Sequence, residues 1–224
     1  MRHALIGAAT LVIGVCATAR AQTSPRVFVG AVAGISTLSA DARSDVTDVG
    51  VDASLYAPGN GPALNVFVGV LVHEYVALQA NYVWNRNDVV LTSLRANAIG
   101  PSFYEQPRSS SQHAAVGDVL VYFRDRRSGL RPYLSAGLGT VHLQTTAAGE
   151  ARATRAVLPP ARAEATSALL RVAVGIDLTL RRGWSARYTF SESMSRNPIS
   201  GLLSPPGQRA LANFQNLFGV VRTF

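Results

Sequence analysis

Residues 170–181 read LRVAVGIDLTLR. Leu170, Val172, Val174, Ile176, Leu178 and Leu180 share one parity, while Arg171, Ala173, Gly175, Asp177, Thr179 and Arg181 share the other. A period of two puts these sets on opposite faces of a pleated strand, whereas a helix would spread both around its circumference. One face suits hydrocarbon and the other a polar interior. A strand tilted across a bilayer needs roughly 9 to 11 residues, which this stretch supplies.

Working outward, seven more segments alternate in the same way. In residues 76–85, Val76, Leu78, Ala80, Tyr82 and Trp84 oppose Ala77, Gln79, Asn81, Val83 and Asn85. Residues 184–190 set Trp184, Ala186, Tyr188 and Phe190 against Ser185, Arg187 and Thr189, and residues 64–70 set Leu64, Val66, Val68 and Val70 against Asn65, Phe67 and Gly69. Noisier segments cover 27–35, 114–123, 132–143 and 213–224. In the last, Arg222 falls on the apolar parity, which a strand tolerates near an interface where the guanidinium reaches water. The connections alternate in length. Tight turns fall at 73–75, 124–131 and 181–183, and long polar, Gly- and Pro-rich stretches at 38–62, 86–113, 145–167 and 192–212. The Ala-rich stretch 147–168, interrupted by Pro159 and Pro160, has room for a short helix.

The turn Arg181-Arg182-Gly183 sets a register. A three-residue hairpin loop with Gly in the left-handed position places Leu180 opposite Trp184, and therefore Asp177 opposite Arg187. Both lie on the polar face, which predicts a lumenal ion pair with Arg171 and Asp118 as further members.

Residues 1–21 read as an export signal cleaved before Gln22: Arg2 and His3, an apolar run over 4–19, then Ala19-Arg20-Ala21. The run is shorter than the ~20 apolar residues of a membrane helix. Cys16, the only cysteine, would leave with it, so residues 22–224 would hold no disulfide and no thiolate. With 48% hydrophobic residues but no uninterrupted apolar stretch of helix-spanning length, a membrane protein of this composition has to be a closed barrel, since closure satisfies every backbone hydrogen bond in lipid. All 21 basic residues are Arg, and the net charge of +8 falls to +6 once Arg2 and Arg20 leave. That surplus suits anionic lipid head groups and lacks a nucleic-acid signature.

The segment Arg131-Pro-Tyr-Leu-Ser-Ala-Gly-Leu-Gly139 resembles the Arg-Pro-Tyr-x-x-x-Gly-x-Gly strand of the bacterial outer-membrane β-barrel domain family, which takes in OmpA-like, OmpX/Ail-like and opacity-type proteins. Phe224 resembles that family's assembly signal, while Arg222 stands where an aromatic is common. The resemblance implies an all-β fold, an eight-stranded antiparallel up-and-down transmembrane barrel with short periplasmic turns and long extracellular loops. It also implies outer-membrane localisation, with periplasmic chaperones and the barrel-assembly machinery as partners during biogenesis. Lipid and lipopolysaccharide are the expected surroundings, and a monomer the expected state. Tyr82, Trp84, Trp184 and Phe224 are the expected aromatic girdle.

The reading assigns no catalytic residue, cofactor or metal site. An eight-stranded barrel is just wide enough for side chains to fill, which argues against a broad pore. Three readings remain. The first is a non-enzymatic barrel displaying loops for adhesion, envelope integrity or host and phage contact. The second is a lipid-A-modifying enzyme, for which His142 near Thr140, Thr145 and Thr146 is the available group, although Gln144 replaces the serine such a site would want. The third is a soluble lipocalin-like barrel, the same alternation turned inside out. The aspartates 41, 45, 48 and 52 lack the Gly and bidentate Glu of a calcium-binding hand and read as a solvated acidic loop.

Overall fold

A computed structural model describes residues 26–38, 41–47, 50–97, 100–197, 200–202 and 210–224; the export segment 1–21 lies outside them. Among the described residues eleven strands form: β1 (Arg26–Leu38), β2 (Asp41–Thr47), β3 (Gly50–Pro58), β4 (Asn60–Leu71), β5 (Val76–Asn97), β6 (Gly100–Tyr122), β7 (Leu130–Ala147), β8 (Arg152–Thr154), β9 (Arg162–Thr179), β10 (Trp184–Arg196) and β11 (Ala210–Thr223). Eight of them, β1, β4, β5, β6, β7, β9, β10 and β11, pair antiparallel with their neighbours in chain order. The ring closes where β1 meets β11, from Phe28 opposite Thr223 to Leu38 opposite Asn213. No sheet edge is left along the barrel wall, and the eight-stranded antiparallel barrel expected from the alternation is the fold observed.

The apolar parity faces outward. Leu138 is 71% exposed and Phe218 65%, while Asn65, Asn81, Asp118, Arg171, Asp177 and Arg187 are buried inside. A soluble barrel inverts this arrangement, so the lipocalin-like reading does not hold. The tight turns and both described termini share one end. At the 181–183 turn Arg182 and Gly183 take φ values of 53° and 79°, the Leu180 amide donates to the Trp184 carbonyl at 2.9 Å, and Arg187 stands opposite Asp177. In the 124–129 turn, the Asp125 carboxylate accepts the amides of Arg127 (3.1 Å) and Ser128 (2.9 Å), a side-chain substitute for backbone pairing.

The opposite end departs from the sequence reading. Residues 86–113 are not a loop: β5 and β6 pair continuously from Val76 with Val121 to Asn97 with Gly100. The serines and prolines that read as loop residues are accommodated by position. Pro107 falls between the stretch of β6 paired with β7, which begins at Arg108, and the stretch paired with β8, which ends at Glu105. On that flank, where the Pro107 carbonyl accepts the Ala148 amide at 2.8 Å, no ladder partner demands an amide hydrogen, while β5 runs along the other flank with Val90 opposite Pro107. Within 38–62, β2 and β3 form a hairpin added to β5, and within 147–168 the chain makes β8 and the start of β9 rather than a helix. The result is an open extension, β2-β3-β5-β6-β8, standing on the barrel rim.

Polarity inverts where the extension begins. On β5 the outward residues change from Tyr82 and Trp84 to Arg86 and Asp88, while the inward ones change from Gln79, Asn81 and Asn85 to Val89 and Leu91. Further along, exposed Leu94 on β5 and Leu55 on β3 join the outward charges, and buried Asn87 and Ser93 join Val89 and Leu91 inside, so neither face of the extension is uniformly apolar. Trp84 stands within β5, just before this change of pattern.

Candidate functional site

The lumen is packed in tiers. Nearest the turn end, the Arg187 guanidinium grips Asp177 with two bonds, Nε to Oδ1 at 2.6 Å and Nη2 to Oδ2 at 2.7 Å. Its Nη1 reaches Gln79 Oε1 at 2.8 Å, on the strand diametrically across the ring. Tyr122 accepts from Arg187 Nη2 at 3.0 Å and donates to Asp177 Oδ2 at 3.1 Å. The guanidinium also lies 4.8 Å from the Phe67 ring centroid and 4.9 Å from that of Tyr133, so its faces meet π-electrons while its edges meet oxygen. Buried Phe28, Val32, Phe67, Leu120, Tyr133 and Leu217 fill the space around it. Aromatic packing is as much a part of this tier as the charge pairing expected from the alternation.

Arg171 and Asp118 form a second pair, Nη1 to Oδ2 at 2.6 Å, separate from the first. They sit on β9 and β6 with β7 between, and all three strands meet in one row, Asp118 opposite Gly137 and Gly137 opposite Arg171. A Cβ at Gly137 would overlap the Asp118 carboxylate and the Gly117 carbonyl. The glycine therefore opens the path along which the pair bridges two strand spacings. Asn81 donates to the same Asp118 oxygen at 3.1 Å and accepts from Asn65 and Gln79.

A third tier is uncharged. Asn213 donates to Gln112 Oε1 at 2.9 Å across the full width of the ring, Gln215 donates to Asn85 Oδ1 at 3.0 Å, and Ser191 donates to Gln215 Oε1 at 3.1 Å. Above it Leu38, Val89, Leu91, Tyr104, Leu143 and Leu211 form a cluster with Ala156 against it. Burial raises the Tyr104 hydroxyl above the ordinary tyrosine range, opposed by a bond with Ser93 and by the charge of Arg108. Arg108, 1% exposed, latches the 155–161 segment over this cluster. It donates to Gln106 Oε1 (2.6 Å), Thr145 Oγ1 (3.0 Å) and the carbonyls of Pro160 (2.9 Å) and Ala161 (3.4 Å). Sequence reasoning missed Arg108 because it read residues 86–113 as a loop; the inward parity it shares with Gln112 and Asp118 was the available signal.

Outside, Tyr82 and Trp84 flank the upper polarity inversion and Trp184 and Phe224 stand at the turn end. Arg222 lies 5.4 Å from the Trp184 ring and 5.6 Å from that of Phe224, and donates to the Arg182 carbonyl. Of the histidines, His142 pairs with Thr166 Oγ1 at 2.9 Å and His113 with the Tyr82 hydroxyl at 2.7 Å, both on the outer wall. His142 stays apart from Thr145, which is fully buried on the inner side. Among the described residues no group of three or more His, Cys, Asp or Glu gathers to hold a metal. On the rim extension, Ala53, Leu55, Thr92, Leu94 and Phe103 line an open groove of about 430 Å³ on the outward face, whereas the Asp52–Arg95 pair, at 2.9 Å, takes the alternate parity and the opposite face of the sheet. Asp45 lies opposite Asp52 in the β2–β3 hairpin.

A closed ring of eight strands, apolar outside and packed inside, is a transmembrane β-barrel. This chain belongs to the outer membrane protein beta-barrel domain family, whose model matches residues 7–201. Among solved structures, Neisserial surface protein A (NspA) is 15% identical with a TM-score of 0.50, covering 88% of this chain and 97% of its own. The outer membrane protein OprG from Pseudomonas aeruginosa is 13% identical, with a TM-score of 0.47 and coverage of 90% and 96%. Ail, the attachment invasion locus protein of Yersinia pestis, is 8% identical, with a TM-score of 0.44 and coverage of 89% and 99%. No curated protein sequence matches the chain.

Proposed function

We propose that this chain is a non-enzymatic surface-display barrel of the bacterial outer membrane, delivered by a cleaved signal at 1–21 and working through the extension at its loop end. The observation that carries the reading is the sealed lumen: Arg187 to Gln79 and Asn213 to Gln112 bridge the ring from wall to wall, so transport through the barrel is not its task. Binding then falls to the rim, where the β2-β3-β5-β6-β8 sheet presents an apolar groove on its outward face. Adhesion, envelope integrity and host or phage contact are the roles such a surface serves. The lipid-A-modifying alternative is disfavoured by His142, whose hydrogen-bond partner is Thr166 on the outer wall, while Glu164, two residues along on the same face, is paired with Arg162.

In this layout the short turns face the periplasm, Phe224 acts as the assembly signal, and Tyr82, Trp84, Trp184 and Phe224 are the girdle. Expression in a bacterium with an outer membrane tests the reading. The protein should fractionate with that membrane and migrate faster on SDS gels unboiled than boiled. Trypsin added to intact cells should cut within 152–162 and leave the barrel, and planar bilayers should show no unitary conductance. Steady ion channels in the bilayer, or a lipid A change on mass spectrometry lost in His142→Ala, would overturn it.

A further inference from the structure

The turn end is where the charge of this chain concentrates. Arg26, four arginines between 124 and 131, the pair Arg181 and Arg182, and Arg222 stand there against the side chains of Glu74 and Asp125. Among the described residues the remaining arginines and carboxylates balance, so their surplus of charge belongs to this one end. At its centre lies a cavity of about 150 Å³ lined by Arg26, Arg126, Arg131 and Arg187, with Asp177 as the carboxylate in its wall. Both Asp177 oxygens are taken by Arg187, and among the described residues no carboxylate lies within ion-pair distance of Arg26, Arg126 or Arg131.

Two of these guanidiniums are held and yet unfinished. Arg131, 9% exposed, stacks 3.8 Å over the Tyr122 ring and donates through Nη2 to the Glu74 carbonyl at 3.2 Å, while its buried Nε–H has no acceptor. Arg126 donates through Nη2 to the His73 carbonyl at 2.7 Å, and its buried Nε–H also has no acceptor. A buried donor without a partner carries its desolvation cost in full, and a guanidinium fork matches the oxygens of a phosphate. Thr179, Ser185 and Thr223 add hydroxyls to the same wall. A cavity of this size takes a ligand of roughly benzene dimensions, which a phosphate group does not exceed.

We propose that the turn-end mouth of the barrel is a phosphate-binding site, in which Arg126 and Arg131 hold the oxygens and Arg26 completes the charge. The phosphate is either free in the periplasm or the head group of an anionic phospholipid of the inner leaflet. The site is independent of the display surface, which lies at the other end.

The test uses the refolded full barrel in phosphate-free zwitterionic detergent, titrated with inorganic phosphate and followed by calorimetry. A parallel arm uses nanodiscs of phosphatidylcholine with and without phosphatidylglycerol, followed by phosphorus NMR. Saturable binding in either arm, weakened at least about fivefold by Arg126→Gln and by Arg131→Gln and left unchanged by Arg152→Gln at the far rim, establishes the site. The arm in which it is seen names the source. Should Arg131→Gln fail to fold, the more exposed Arg126→Gln and Arg26→Gln decide. Absence of saturable binding in both arms, or binding that the arginine variants leave unchanged, overturns the proposal.

Discussion

Asp177→Asn should be among the most damaging single-atom changes this barrel can suffer. Side-chain exposures of 2% for Arg187 and 9% for Asp177 put the pair out of reach of solvent screening. Removing one partner of a buried pair strands the other charge, which typically costs about 3 to 5 kcal/mol. Several contacts soften the loss: Arg187 keeps Gln79 Oε1, the Tyr122 hydroxyl and the faces of Phe67 and Tyr133, and asparagine retains one acceptor. The expected cost is therefore at the lower end, about 3 kcal/mol. With a denaturant slope of about 1 to 3 kcal/mol per molar, the urea midpoint of the barrel refolded in lipid vesicles should fall by about 1 to 3 M. Asp52→Asn is the internal control. Its pair with Arg95 has side-chain exposures of 22% and 49%, so that change should cost under about 1 kcal/mol. Adding Arg187→Met to Asp177→Asn should recover most of the loss, because an apolar side chain suits the cage of Phe28, Phe67 and Tyr133. If Asp177→Asn costs no more than Asp52→Asn, or if the double variant is no more stable than the single one, the lumen is not the dry, charge-paired core described above.

Gly137→Val should abolish the fast-migrating folded band on unboiled gels, since a Cβ there would overlap the Asp118 carboxylate and backbone oxygen, whereas Gly117→Ala, with open space around its Cβ, should change stability by no more than about 0.5 kcal/mol. Arg108→Met should unlatch the 155–161 segment by removing the donors to Pro160 and Ala161, and tryptic cleavage after Arg155 should speed up severalfold in intact cells while the barrel band persists. Because the folded-state pKa of Tyr104 is raised by burial, its contribution is complete below the unfolded tyrosine value of about 10 and is lost as pH rises through the raised folded value; Tyr104→Phe should therefore flatten the alkaline decline of stability, measured by urea midpoints at successive pH.

Much of this architecture is local and was legible in the chain. Alternation in LRVAVGIDLTLR sorts lipid-facing from lumen-facing side chains, because the pleat alone sends successive residues to opposite faces. The Arg181-Arg182-Gly183 turn sets Asp177 across from Arg187, because a hairpin of known length fixes the register of its own two strands. The 86–113 stretch was not legible. Its serines and prolines resemble a loop, and only the long pairing of β5 with β6 and the gap in partners at Pro107 make them strand.

By itself, then, the sequence determined the eight strands of the barrel wall, the facing of their side chains, and the contacts within one hairpin. The tertiary structure alone decided who meets across the ring: Arg187 with Gln79, 108 residues apart, Gln215 with Asn85, 130 apart, and Arg171 with Asp118 over Gly137. It also gathered arginines from separate turns around one mouth. The reason is geometric. Pleat and turn act over a few residues, whereas the partners across a barrel are set by how many strands close the ring and by how far they stagger, which no short stretch of chain encodes.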